Sequence, residues 1–241
     1  HDTMQLTLAG VLRYSSNVGT IMIAQNIPAS SRYDYMLRFG LGKASEVGFE
    51  GETSGVLNDY RDWDGVTNMT TTFGQGLSTS SVQMTSAYQA LANSGVRLNP
   101  VLVAGCRDEN GEMTSIPKST ATQVVSAQTA QEVVLMLEEV VEDGAIGRAT
   151  SVPGYRSAGK TGTAEIPEGS GYGDYFATSF LGMAPSEDPQ YAIGVMVYKP
   201  KQVHTNSQAA VTAYQKILSQ VLLTNRISPS TSVSPDIPTE W

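Results

Sequence analysis

Apolar positions follow a helical period at both ends of the chain and a strand-like pattern in the last third before the final helix. Between Leu6 and Asn26 two helical stretches are broken near Tyr14–Asn17: Leu8, Val11 and Leu12 share one face, and Val18, Ile21, Met22 and Gln25 share the next. A further helix is predicted over Ser31–Phe39, closed by Gly40 and Gly42. From Lys43 to Thr72 Gly, Asp, Asn and Thr dominate without a sustained period, which predicts a long irregular surface segment. Ser80 and Gln83 stand three apart, the spacing of a capping box, and open a helix whose inner face is Met84, Ala87, Tyr88 and Leu91, ended by Gly95. Val101–Ile116 reads as a hairpin turning at Asn110-Gly111. Ala130–Val141 is the clearest helix, with Val133, Met136, Leu137, Val140 and Val141 on one side. Tyr155–Glu165, Tyr175–Met183 and Tyr191–Tyr198 are strand candidates joined by Gly-rich and Pro/Asp turns, links short enough to require antiparallel neighbours. Val211, Tyr214, Leu218 and Leu222 mark a last helix, and the Ser/Pro-rich run Ile227–Pro238 is expected to be a loosely held tail. No internal repeat is present. The fold class is α+β: helices, then an antiparallel sheet, then a closing helix.

Composition narrows the chemistry. Of 241 residues 40% are hydrophobic and 16% charged, enough for a real core. The net charge of −8 argues against nucleic acid, whose phosphates are bound by clustered cations. No apolar run approaches the roughly 20 residues that span a bilayer. The single cysteine, Cys106, allows no internal disulfide and no cysteine-cluster metal site. With only His1 and His204, a Ser-His-Asp engine would rest on His204 alone, and acid–base work near neutral pH falls otherwise to a carboxylate or a lysine. The chain begins at His1 with no Met and no signal-like segment, so it reads as a piece of something longer.

One window carries two readings. Gly154-Tyr-Arg-Ser-Ala-Gly-Lys160-Thr161 satisfies the phosphate-loop pattern G-x-x-x-x-G-K-[ST], which would make the protein a nucleotide binder. That chemistry needs a helix after the Lys-Thr to meet the phosphates, and Gly162 to Pro167 is a poor helix start. The second reading takes Lys160-Thr161-Gly162 as a strand triplet: a fixed cation, a hydroxyl able to hold a carboxylate, and a glycine that admits a substrate backbone. Alone, the triplet is an ordinary strand with a solvated lysine. Ser15-Ser16-Asn17 is the only Ser-x-Asn present, and alone is an ordinary polar turn between helices with Ser or Asn as cap.

The surrounding residues give these short motifs weight. Leu12-Arg-Tyr-Ser-Ser-Asn-Val-Gly19, Arg38-Phe-Gly-Leu-Gly42, Phe73-Gly-Gln-Gly76 before the Gln83 helix, and Gly154 to Ala164 stand in one order. Together they closely resemble the transpeptidase domain of class B penicillin-binding proteins, nearest the cell-division, FtsI-like branch. The similarity runs from about Leu8 to Pro200. It implies the penicillin-binding/β-lactamase-like transpeptidase fold, an antiparallel sheet flanked by helices, with residues 1–226 as the C-terminal part of one such domain and 227–241 as its tail. Ser80-Ser-Val-Gln83 stands where many relatives have Thr-Pro-Leu-Gln, and Lys199–Asn206 lacks the Gly pair common there, which bears on the rim near His204. The family's nucleophile, the Ser of a Ser-x-x-Lys several dozen residues before the Ser-x-Asn, has no counterpart: none of the 14 residues before Ser15 is a serine. Ser115-Ile-Pro-Lys118 has a proline inside, and Ser157-Ala-Gly-Lys160 reuses the triplet lysine on a strand.

The resemblance implies a D,D-transpeptidase that acylates its serine with a peptidoglycan stem peptide, passes the acyl group to an acceptor amine, and is trapped by β-lactams. Ser15 would relay protons, Asn17 hold the substrate amide, Lys160 supply positive potential, and Thr161 and Thr163 hold the carboxylate, with the Thr163 N–H as an oxyanion donor and Gly162 giving room. It implies no metal or cofactor, an extracytoplasmic domain anchored to the cytoplasmic membrane by a segment not included here, and divisome membrane proteins as partners of the parent protein. A non-catalytic β-lactam sensor would share the motifs. Glu138, Glu139, Glu142 and Asp143 are expected on the exposed side of their helix, Glu165 is read as a strand-end charge, and Cys106 as inert.

Overall fold

The computed structural model describes residues 3–45, 47–144, 147–169, 171–201 and 207–241. His1, His204 and the rim positions 202–206 lie outside the described residues. Thr7 caps α1 (Leu8–Arg13) by accepting from the Gly10 N–H, and Ser16 caps α2 (Asn17–Ala24) in the same way through Gly19. α3 (Ala29–Arg38) starts directly after Pro28, whose fixed φ suits a helix entry. The stretch from Lys43 to Thr72, expected to be irregular throughout, contains α4 (Gly65–Thr70) between 3-10 turns at Tyr60–Asp62 and Thr71–Phe73. Asp64 accepts from Thr67 N and nucleates α4; that cap was its one signal, since no apolar period accompanies it.

α5 (Ser81–Ala92) carries the predicted capping box: Ser80 Oγ accepts from the Gln83 N–H at 3.1 Å, and Gln83 Oε1 accepts from the Ser80 N–H at 2.7 Å. Gln83 is also buried, and its amide donates to the carbonyls of Lys43 and Ser54, fastening the preceding loop to the helix. Gly95 ends the helix region with φ +80°, and a Cβ there would meet the Val125 carbonyl oxygen at 2.2 Å. β1 (Val96–Leu98) pairs antiparallel with β4 (Ala121–Gln123); three residues each are too few to show a period in the sequence. Between them the hairpin expected over Val101–Ile116 shrinks to two-residue strands, β2 (Cys106–Arg107) and β3 (Met113–Thr114), with Asp108 Oδ1 holding the Asn110-Gly111 turn. Cys106 is exposed.

α6 (Ala127–Asp143) leads to one three-stranded antiparallel sheet, β5 (Ala158–Glu168), β6 (Gly171–Ala184) and β7 (Tyr191–Tyr198), in that spatial order. Lys160 stands opposite Leu181 and Thr163 opposite Thr178. α7 (Gln208–Thr224) packs on β6 and β7 with Val211, Tyr214, Leu218 and Leu222 inward, and the Tyr214 ring lies 4.4 Å from that of Phe180. A second cluster joins Val134 and Leu137 of α6 to Ala158 and Met183.

Two expectations fail, each through a tertiary contact. Glu142 and Asp143 are exposed as predicted, but Glu138 is fully buried and Glu139 nearly so. α6 lies between α1 and β5, so its acidic side is covered and must be paired. Arg156 grips Glu138 through two bonds of 2.6 and 2.8 Å, and Arg13 reaches Glu139 at 3.3 Å. The segment after Arg226 is not loose: Tyr155 Oη donates to the Ile227 carbonyl, and Thr7 N–H donates to that of Thr239. The apolar side of α2 is uncovered among the described residues, with Val18 68% and Met22 64% exposed. Beside it α2, α3 and α5 enclose an open apolar groove of about 470 Å³, lined by Ala24, Ile27, Met36, Phe39, Tyr88 and Leu91 among others.

Candidate active site

Ser15 sits where α1 ends. The Ser16 N–H reaches back to the Val11 carbonyl and the Ser15 N–H to that of Leu12, the double bond of a Schellman motif, in which the residue after the cap is left-handed and usually glycine. Here it is Ser15, with φ +52°. An L side chain in that conformation costs roughly 1–2 kcal/mol relative to glycine. A serine kept there despite that cost points to a use for its hydroxyl. Ser16 caps α2, so the turn reading of the Ser-x-Asn triplet accounts for its middle residue and leaves the outer two unused. The Asn17 side chain is exposed at the first turn of α2, without a hydrogen bond among the described residues.

β5 brings the other half. Lys160 Nζ donates to Ser15 Oγ at 2.9 Å, across 145 positions of sequence. The same ammonium donates to Thr161 Oγ1 at 3.3 Å and to the Thr161 carbonyl at 3.4 Å. Both hydroxyls accept from the lysine, so both keep their own proton to offer outward. Burial lowers the Lys160 pKa from the ordinary lysine value. Thr163 is exposed on the strand, with its hydroxyl 3.0 Å from Ser207 Oγ. Ser207 in turn donates to the Gly162 carbonyl at 3.0 Å, which makes Thr163 the donor to Ser207. Ser207 precedes α7 but does not cap it; its hydroxyl turns to β5 instead. Sequence reasoning missed it, since a serine ahead of a helix reads as a cap. Gly162 has a further, internal reason to be glycine: a Cβ there would meet Ser179 Oγ at 2.5 Å.

The rejected motifs resolve simply. Lys160 and Thr161 lie inside an 11-residue strand, and no helix follows them, so the phosphate-loop context is missing. Ser157 is buried without a hydrogen-bond partner among the described residues, and Ser115 is exposed in a bend with φ +51°. Neither stands with a lysine at a helix start. Glu165 is exposed and accepts a long, 3.4 Å bond from Gln75. Among the described residues no group of His, Cys, Asp and Glu could hold a metal ion.

Comparison with known proteins agrees with this geometry. The family model described as penicillin binding protein transpeptidase domain matches residues 1–221. The chain is 41% identical over 209 residues to the penicillin-binding protein PbpB of Mycobacterium tuberculosis, covering 83% of this chain and 31% of that protein. It is 31% identical over 235 residues to the peptidoglycan D,D-transpeptidase FtsI of Escherichia coli, covering 96% of this chain and 38% of that protein. The crystal structure of penicillin binding protein 3 from Mycobacterium tuberculosis, complexed with ampicillin, superposes on the whole chain with a TM-score of 0.90 at 36% identity, over 56% of its own length. The chain thus spans about a third of the length of the curated relatives it matches.

Proposed function

Because the chain belongs to the penicillin-binding protein transpeptidase family, we propose that it forms the C-terminal part of a peptidoglycan D,D-transpeptidase acting in septal cell-wall synthesis. The observation that carries this reading is the Lys160–Ser15 hydrogen bond, which joins two motifs far apart in sequence into one site. In the reaction a nucleophilic serine attacks the carbonyl of the penultimate D-Ala of a stem peptide, D-Ala leaves, and an acceptor amine takes the acyl group. Lys160, bonded to the Ser15 and Thr161 hydroxyls, favours the substrate's terminal carboxylate, and the protons of those hydroxyls serve the leaving group and that carboxylate. Asn17 holds the stem-peptide amide, and the Thr163 N–H serves as an oxyanion donor. The Thr163 hydroxyl must leave Ser207 to reach a carboxylate. β-Lactams occupy the same site as mimics of the stem-peptide terminus. The nucleophile and its lysine base lie in a segment outside this chain, which also covers the groove beside α2. No helix among the described residues is long and apolar enough to cross a membrane, and the anchor and divisome contacts belong to the parent protein outside this chain.

Labelling with fluorescent penicillin tests the reading. The full-length protein gains one penicilloyl group by intact mass, and the 241-residue chain alone gains none. Lys160→Ala in the full-length protein slows acylation by roughly 10²–10³-fold, and Lys160→Arg restores only part of it. An adduct on the isolated chain, or unchanged rates in both variants, would overturn the assignment.

A further inference from the structure

The Ser15–Lys160 contact is too weak to set its own geometry. Ser15 is exposed, and a hydrogen bond from an ammonium contributes roughly 1.5–3 kcal/mol, most of which is offset by the roughly 1–2 kcal/mol that the left-handed conformation of Ser15 costs. Something behind the pair must fix α1 against β5: α6 lies between them, and the stretch after α7 bonds both α1 and the approach to β5.

After α7 the chain passes the approach to β5. The Ser230 N–H donates to the Gly154 carbonyl at 2.9 Å, while Ser230 Oγ accepts from the Arg156 N–H and Ser232 Oγ from its guanidinium, each at 2.9 Å. It then runs under α1. The Thr7 N–H and hydroxyl donate to the carbonyls of Thr239 and Pro238 at 3.1 and 2.6 Å, and the Trp241 N–H donates to the Gln5 carbonyl at 3.0 Å. A Cβ on Gly10 would lie 1.9 Å from the Thr239 carbonyl oxygen, so α1 rests directly on this backbone. Arg13 closes the arrangement: its guanidinium reaches Thr239 Oγ1 at 3.1 Å, Glu139 at 3.3 Å and Asp143 at 3.5 Å. Tyr14 bonds Glu240 at 2.6 Å, and Ser15 is the next residue.

We propose that residues 227–241 are a strap that holds α1 against β5 and so sets the Ser15–Lys160 distance, with Arg13 as the positioning residue that ties the strap and α6 to Ser15. The strap grips Gly154 and Arg156 just before β5, and Thr7, Arg13 and Tyr14 ahead of Ser15, and among the described residues it makes no hydrogen bond to Ser15 or Lys160. This inference rests on the transpeptidase reading above. Its test is the full-length protein, with the limiting acylation rate by a penicillin measured separately from the dissociation constant of the preceding complex. Arg13→Met lowers the limiting rate about tenfold, short of the roughly hundredfold that a full ångström of misplacement can cost, and leaves that dissociation constant unchanged. Arg13→Lys recovers part of the rate, because one ammonium reaches Thr239 or Glu139 but cannot fork between them. Thr239→Val, which keeps the shape and removes only the Arg13 acceptor, lowers the rate about threefold. Arg61→Met, which breaks the exposed Arg61–Asp59 pair and shares no partner with Arg13 or the strap, leaves the rate at the wild-type value. Wild-type rates in Arg13→Met and Thr239→Val, or an equal loss in Arg61→Met, overturn the proposal. A wild-type protein that takes no penicilloyl group instead defeats the transpeptidase reading, and the strap's role with it.

Discussion

The two sides of this molecule solve the same problem differently. On the sheet side, α6 and α7 bury Val141, Phe180, Tyr214, Leu218 and Leu222, and even an acidic side chain, Glu138, is enclosed with its own cation. On the other side α3 buries no residue and α2 buries only Ala24, while Val18, Met22, Ile23 and Tyr35 are exposed. Both sides carry a helical apolar period, so both were written to be covered. Among the described residues only one of them is covered. The site lies at the join, with Lys160 supplied by the closed side and Ser15 at the start of the open one.

Truncating one apolar side chain on each side should separate them most. Phe180→Ala removes a fully buried ring and is expected to lower stability by about 3–5 kcal/mol, read as a urea midpoint in either the isolated or the full-length protein. Met22→Ala should change the isolated chain by no more than about 0.5 kcal/mol. In the full-length protein the same change should cost about 2 kcal/mol, because the covering segment then packs on it. Equal effects of Met22→Ala in both proteins would mean that nothing covers this face, and the contrast would dissolve.

The buried ion pair sharpens the closed side further. Glu138→Ala strands the Arg156 guanidinium in a space with little access to water, and is expected to cost about 3 kcal/mol. Glu138→Gln keeps the shape and one acceptor, so it should cost less. Arg156 also bonds Ser230 and Ser232, so proteolysis within 227–241 should accelerate in Glu138→Ala before global unfolding does. Unchanged cleavage there would show that the strap holds without the pair.

Much of this was legible from residues alone, and the exceptions share a cause. The Ser80–Gln83 box, the limits of β7 and the inner face of α7 follow from local spacing, because caps and periods are local physics. Ser15 and Lys160 could be named because each sits in a motif whose order the resemblance supplied. What could not be read depends on distant neighbours. Glu138 looks like a solvated charge until Arg156 is brought to it, and Ser230 looks like part of a tail until Gly154 and Arg156 bond it. Ser207 shows the same limit inside the site, since only the fold reveals that its hydroxyl serves β5 in place of α7.

The smallest expected effect concerns Lys160 itself, at the seam. Burial disfavours its charged form, so its native pKa lies below the ordinary lysine value of 10.5. Between those two values the unfolded chain holds a proton that the folded chain has released, and stability therefore rises with pH across that window. Below it the lysine is charged in both states and folding bears the full desolvation cost. Lys160→Met removes the charge, so the variant should be more stable than wild type near neutral pH, by less than about 1 kcal/mol, while losing acylation. That advantage should shrink as pH climbs towards 10.5. Tyr88 and Tyr214, whose pKa values burial pushes up, titrate above this range in both proteins, so their contribution cancels in the difference. Urea midpoints of the two full-length proteins from about pH 7 to about pH 10 give that difference directly. A gap that widens with pH would show that the buried ammonium is stabilised by its hydroxyl partners, Ser15 and Thr161, more than it is penalised by burial.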